Sequence, residues 1–242
     1  MYLTRFRLNT ARAGARRLLS SPQMLHAGVM SSFAQLLPPP GEAAKSGPRV
    51  LWRVDRSAKA AVHLHIVSHT KPDLTHLVEQ AGWPTTPDGW QSYEYAPFLS
   101  RLKAGDTWAF RLTANPVHHI RRKNGEPIKR TAHITPRHQI GWLLKRQQAA
   151  GFEVLEKPAA QRLLPESDEW QIMVHDRRNL NFGKTGEQPR GSQSRNRVSL
   201  VTATFDGRLR ITDPEALRHA LTAGIGKAKA YGCGLMTLSP AE

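Results

Sequence analysis

Eleven histidines, and two lysines set among glycines near the end of the chain, are the residues whose types could do chemistry here. An imidazole is the side chain whose ordinary pKa, about 6.5, lets it move a proton at neutral pH. Most of the eleven have a plain explanation. His63 and His65 alternate with Val62, Leu64 and Ile66 as the solvated face of a strand. His118 and His119 belong to a basic run, and His76 and His219 fall on helix surfaces. A His-x-His pair can ligate a metal, but no neighbouring carboxylate or cysteine completes such a site. His26 stands apart, one residue off an apolar helical stripe and close to the start of that helix. The run Gly224-Ile225-Gly226-Lys227-Ala228-Lys229-Ala230-Tyr231-Gly232-Cys233-Gly234-Leu235 offers backbone N–H groups and ammonium groups, which suit a polyanion. Its glycines follow a helical pattern, which excludes a dinucleotide fingerprint. Ala228 after Gly226-Lys227 excludes a P-loop.

Charge says what kind of polyanion. Lys plus Arg number 35 against 19 Asp plus Glu, a formal charge of +16 over 242 residues. Such a surplus is the footprint of a phosphate-rich partner or an anionic membrane surface. With 39% hydrophobic residues the chain folds rather than forming a basic tail. The single cysteine, Cys233, fits a reducing, cytoplasmic setting. No run of 18 apolar residues spans a membrane. Five arginines precede the first acidic residue, as in a transit peptide, but Tyr2, Thr4, Phe6 and Leu8 alternate as a strand does.

Acidic residues are too scattered for a two-metal nuclease, and neither a metal nor a small-molecule cofactor is expected. Without a metal-activated water the easiest nucleophile is one already on the substrate, the ribose 2′-OH. A histidine would serve as its base, and cations would stabilise the phosphorane. His26 is the candidate base, with Lys227 and Lys229 as candidate cations.

These residues need elements to hold them. The pattern predicts a strand over 1–9, a helix from Ser21-Pro22 with stripe Leu25, Val29, Phe33 and Leu36, and strands at 49–54 and 60–68. A helix at 73–81 and a strand at 91–98 complete strand, helix, strand, strand, helix, strand. The second half repeats that order: a strand at 107–114, a basic ribbon through 130, a helix from Thr135-Pro136, and strands at 152–155 and 170–174 follow. A basic, mobile loop over 177–197, a strand at 198–205 turning at Asp206-Gly207, and a helix from Asp213-Pro214 lead to a last strand at 235–238. The expectation is an α+β chain of two tandem ferredoxin-like βαββαβ domains, 1–100 carrying the catalytic helix and 101–242 the basic ribbon and glycine-rich loop.

Met1-Tyr2-Leu3-Thr4, Leu25-His26, Phe110-Arg111-Leu112-Thr113-Ala114-Asn115-Pro116, Ile128-Lys129-Arg130 and the 224–238 run, taken in this order, resemble the CasE family. These are RAMP-superfamily endoribonucleases that process CRISPR precursor RNA in type I-E systems. The resemblance implies metal-independent cleavage at the 3′ base of a repeat stem-loop, leaving a 2′,3′-cyclic phosphate and a 5′-OH. It further implies that the crRNA is kept within the Cascade effector, alongside its other subunits. The family's catalytic histidine falls on His26, and its glycine-rich loop on Gly224, Gly226, Gly232 and Gly234. A tyrosine common in the family three residues before that histidine is Gln23 here, which can position RNA but cannot give up a proton. By charge, Arg121, Arg122, Lys129, Arg130, Arg177, Arg178, Arg195 and Arg197 are the expected RNA contacts, mostly to phosphates and 2′-OH groups of an A-form stem. A non-catalytic RNA-binding scaffold subunit of the same superfamily is the alternative.

Overall fold

Alternation at the N-terminus becomes strand β1, Tyr2–Leu8, with Thr4, Phe6 and Leu8 buried and Arg5 and Arg7 exposed. The computed structural model describes residues 1–34, 49–57, 61–86, 89–120, 129–164, 168–183 and 197–241. The chain divides into two compact units. The first comprises Met1–Arg101 with Thr222–Gly224 and Ala228–Leu235; the second comprises Leu102–Leu221, Ile225–Lys227 and Met236–Glu242.

In the first unit β1 leads to helices α1 (Ala13–Ser20) and α2 (Pro22–Met30), then strands β2 (Leu51–Arg56) and β3 (Val62–Ser68). Helix α3 (Thr75–Ala81), strand β4 (Trp90–Glu94) and helix α4 (Ala96–Arg101) follow. The sheet order is β2-β3-β1-β4, every described pairing antiparallel. This is the ferredoxin-like arrangement. One sheet face packs Phe6, Leu8, Trp52, Leu64 and Ile66 against Leu18, Leu25, Val29, Leu74 and Leu77. Helix α2 stops earlier than the stripe suggests, because the hydroxyls of Ser31 and Ser32 bond back to the carbonyls of Ala27 and Gly28. Phe33 lies beyond the helix yet still packs on this core, and Leu36 is outside the described residues. The strand expected over 91–98 ends at Glu94, and Tyr95 is buried at the start of α4.

The second unit repeats the topology with insertions. Its strands are β5 (Thr107–Ala114), β6 (Val117–Ile120), β7 (Lys129–Ala132), β8 (Phe152–Val154), β9 (Ile172–Gly183), β10 (Arg197–Ile211) and β11 (Met236–Pro240). Helix α5 (Pro136–Gln147) follows β7, and α6 (Pro214–Ala223) follows β10. The sheet runs β11-β5-β10-β8, β9 also pairs with β10, and β6 and β7 form a separate ribbon. Among the described residues no helix is long and apolar enough to cross a membrane.

Two expectations fail here. Residues 177–183 and 197 are not loop: β9 runs on to Gly183 against β10, with a bulge near Thr202 at which Asp176 takes φ +48°. The expected mobility of the loop falls on residues outside those described. Asp206-Gly207 is not a hairpin turn either, because β10 continues straight through it. Asp206 pairs with Arg111 across the sheet through two hydrogen bonds, 2.6 and 2.5 Å, which holds the strand extended. Gly207 lets its neighbours close in: an added Cβ would lie 2.5 Å from the Gln171 carbonyl oxygen and 2.9 Å from the Phe110 ring. Gly207→Ala should therefore lower unfolding stability by about 1–3 kcal/mol in denaturant titration, as overpacking does. A neutral effect would show that the strands are not this close.

Candidate active site

Proline at the first turn pre-sets α2, and Leu25 and Val29 bury its inner face. His26, one residue round from Leu25, is half-buried at the edge of that face. Beneath it runs β2, whose alternation turns Trp52 toward the helices and Arg53 to the other side of the sheet. The Trp52 indole N–H donates to His26 Nδ1 at 3.3 Å. That bond engages the Nδ1 lone pair, so the neutral ring carries its proton on Nε2. Burial lowers the His26 pKa from the usual value. The indole acts in the same direction, since a proton on Nδ1 would face its N–H. At pH 7 the residue is a neutral imidazole that offers an N–H. Trp52 has no motif to announce it, because only the register of β2 under α2 brings it to His26.

The part of the glycine-rich run that belongs to the same unit, Ala228–Leu235, completes these surroundings. Its short helical turn, Lys229–Tyr231, packs against α2 and β2. Gly232 takes φ +78°, and a Cβ there would stand 2.6 Å from the Trp52 ring. Gly224, Gly226 and Gly234 also have positive φ, as does Ala228 at +65°. On the far side of β2, Arg53 is 1% exposed and donates to Asp55 through Nε at 2.7 Å and Nη2 at 2.8 Å. Its Nη1 donates to the Leu235 carbonyl at 2.9 Å. Lys229 is half-buried and donates from Nζ to the Ala223 carbonyl at 2.6 Å. Burial, and then the charge of Arg49, lowers its pKa. An ammonium has three donors, so two remain for a ligand.

The other expected residues distribute differently. Gln23 lies one turn before His26 on the same face, half-buried. Lys227 is exposed in the second unit. Arg177, also exposed, reaches the Ile134 carbonyl at 3.3 Å, and Arg178 is held by Asp176 at 2.8 Å. Lys129 and Arg130 lie on β7, and Arg197 opens β10. Arg121, Arg122 and Arg195 are outside the described residues. Beside the ribbon, His118, His133 and His138 stack with ring centroids 4.2 and 5.8 Å apart, a grouping their sequence spacing does not announce.

A family model described as CRISPR associated protein matches residues 1–240. The chain belongs to the CasE family of CRISPR-associated proteins. A similar protein is the CRISPR-associated endoribonuclease Cse3 of Thermus thermophilus, 29% identical over 243 residues, 99% of this chain and all of that one. The CRISPR system Cascade subunit CasE of Escherichia coli is 29% identical over 185 residues, 73% of this chain and 80% of that one. Among solved structures, Thermus thermophilus Cse3 bound to an RNA representing a pre-cleavage complex matches with TM-score 0.70 at 27% identity. That match covers 99% of this chain and 98% of the other. Escherichia coli Cas6e matches with TM-score 0.57 at 25% identity over the whole of both chains.

For this CasE-family chain, Trp52→Phe keeps an aromatic ring but removes the N–H that opposes protonation at Nδ1. The His26 pKa, followed by NMR titration, should then rise toward 6.5. An unchanged value would mean that burial alone sets it.

Proposed function

We propose that this chain is an endoribonuclease that cuts CRISPR precursor RNA at the 3′ base of the repeat stem-loop and keeps the crRNA as a Cascade subunit. Two relatives support the reading by their names, one an endoribonuclease and the other a Cascade subunit. The observation that carries it is His26, whose half-buried imidazole is oriented by Trp52 on a helix packed against the lysine-bearing turn.

In the proposed reaction the 2′-oxygen attacks the adjacent phosphorus in line and the P–O5′ bond breaks. One proton passes in net from O2′ to O5′ by way of water. A 2′,3′-cyclic phosphate and a 5′-OH result. The chain's part is to hold the RNA in line and to stabilise charge on the phosphoryl oxygens. His26 contributes the Nε2–H that its bond to Trp52 leaves available, and Lys229 contributes its remaining ammonium donors. The donor role is proposed as an alternative to the base role that the sequence suggests. A base needs a bare nitrogen toward the 2′-OH, and the bare nitrogen is the one Trp52 holds. Gln23 is assigned to positioning the ribose or phosphate. The reaction is assigned no metal, on the ground that its nucleophile needs none.

His26→Ala should slow single-turnover cleavage of a repeat hairpin by about 10²–10³-fold, the usual cost of one such donor, with hairpin affinity nearly unchanged. EDTA should have no effect, and a 2′-deoxy residue at the cut site should stop the reaction. The pH dependence separates donor from base. A donor functions both neutral and protonated, so the rate should hold as pH falls through the lowered His26 pKa. A base loses activity in that window, and such a loss, absent in His26→Ala, would restore the base assignment. Tight hairpin binding with no cyclic phosphate would leave only the scaffold.

A further inference from the structure

On the second face of the first unit's sheet Leu51, Arg53 and Val67 are buried, but the part built by β4, β1 and the His63–His65 end of β3 is used by neither the core nor the proposed active site. Strand register builds it in rungs. Gln91, Arg5 and His65 are successive partners across β4, β1 and β3. One rung along, Arg7 pairs with His63; one rung the other way, Leu3 pairs with Tyr93. Because side chains alternate, these residues share the face opposite Phe6, Leu64 and Trp90.

Its chemistry is of one kind. Arg5 and Arg7 are exposed, and Tyr93 is 55% exposed. Arg5 donates to Gln91 at 2.7 Å and Arg7 lies over the Trp83 ring at 5.1 Å. Among the described residues the carboxylate on this side is Asp55, already taken by Arg53 and by His65 at 3.4 Å. The face therefore has uncompensated positive charge beside the rings of Tyr93, His63 and His65. His63 and His65 are tilted 48° to each other with centroids 6.4 Å apart. Burial keeps both imidazoles neutral at pH 7, with Arg5 and Arg7 reinforcing this at His63 and the His65 pKa lowered to about 4.

We propose that this face binds single-stranded RNA, the segment flanking the folded hairpin, with Arg5 and Arg7 on phosphates and Tyr93, His63 and Gln91 against the bases. Neutral imidazole and phenol rings stack on unpaired bases, and guanidinium groups meet phosphates. A duplex does not suit the face, because stacking needs splayed bases. The inference rests on the RNA-processing reading above but concerns residues apart from His26 and the lysine-bearing turn.

The test compares three fluorescent RNAs: a bare repeat hairpin, the same hairpin with a single-stranded flank of about eight nucleotides, and an oligouridylate of that length alone. Wild-type protein should bind the flanked hairpin about 10-fold more tightly than the bare one. Arg5→Ala/Arg7→Ala should abolish that gain and the oligouridylate binding, with bare-hairpin affinity and cleavage unchanged. The slope of log K against log salt for flanked RNA should fall by about 1.4, roughly 0.7 for each single-strand phosphate contact. Tyr93→Ala should weaken oligouridylate binding without changing that slope, and Arg5→Lys/Arg7→Lys should retain most of the affinity. Equal binding of bare and flanked hairpins, or equal weakening of both by the double variant, overturns the proposal. Polyglutamate binding lost in the double variant, with no oligouridylate binding by wild type, would assign the face to an acidic protein segment instead. If the bare hairpin is neither bound nor cut, the ribonuclease reading fails, and the oligouridylate arm still reads the face.

Discussion

A buried guanidinium fixes the geometry on which the candidate site depends. Taking a charge out of water costs several kcal/mol unless it is paired and hydrogen-bonded. Arg53 is satisfied by the Asp55 carboxylate on its own strand and by the Leu235 carbonyl at the end of the glycine-rich run. Strand alternation puts Trp52 on the opposite face, where it meets Gly232 and holds His26. Two neighbouring residues of β2 therefore tie a segment near position 230 to a helix near position 26. Loss of either would loosen both the imidazole and the turn.

The same arrangement sets the electrostatics. In a protein of charge +16, the groups expected at the scissile phosphate are half-buried rather than fully solvated. Burial depresses the pKa of both His26 and Lys229. Lys229 is also anchored to the Ala223 carbonyl at the end of α6. In the proposed reaction long-range attraction to RNA would fall instead to exposed arginines, while the site would offer oriented donors that need little rearrangement when a phosphate arrives.

How far the sequence reaches depends on the range of the interaction. The strand period at Tyr2–Leu8, the proline starts of α2, α5 and α6, and the βαββαβ order are local patterns, and they are visible in the residues alone. His26 could be singled out because its offset from Leu25 and Val29 is a helical fact. Trp52 could not, since its role arises from the register between β2 and α2. Gly207 reads as a turn because Asp-Gly usually is one; only the approach of Phe110 and Gln171 gives it another reason. Likewise Arg177–Gly183 reads as loop from its charge, whereas pairing with β10 extends it into a strand.

In the proposed reaction His26 meets the RNA as a neutral ring with its proton on Nε2. Nitrogen-15 NMR of the two ring nitrogens in the free protein at neutral pH measures this directly. A protonated Nε2 and an unprotonated, hydrogen-bond-accepting Nδ1 are expected. A proton on Nδ1, or an imidazolium at that pH, would contradict it.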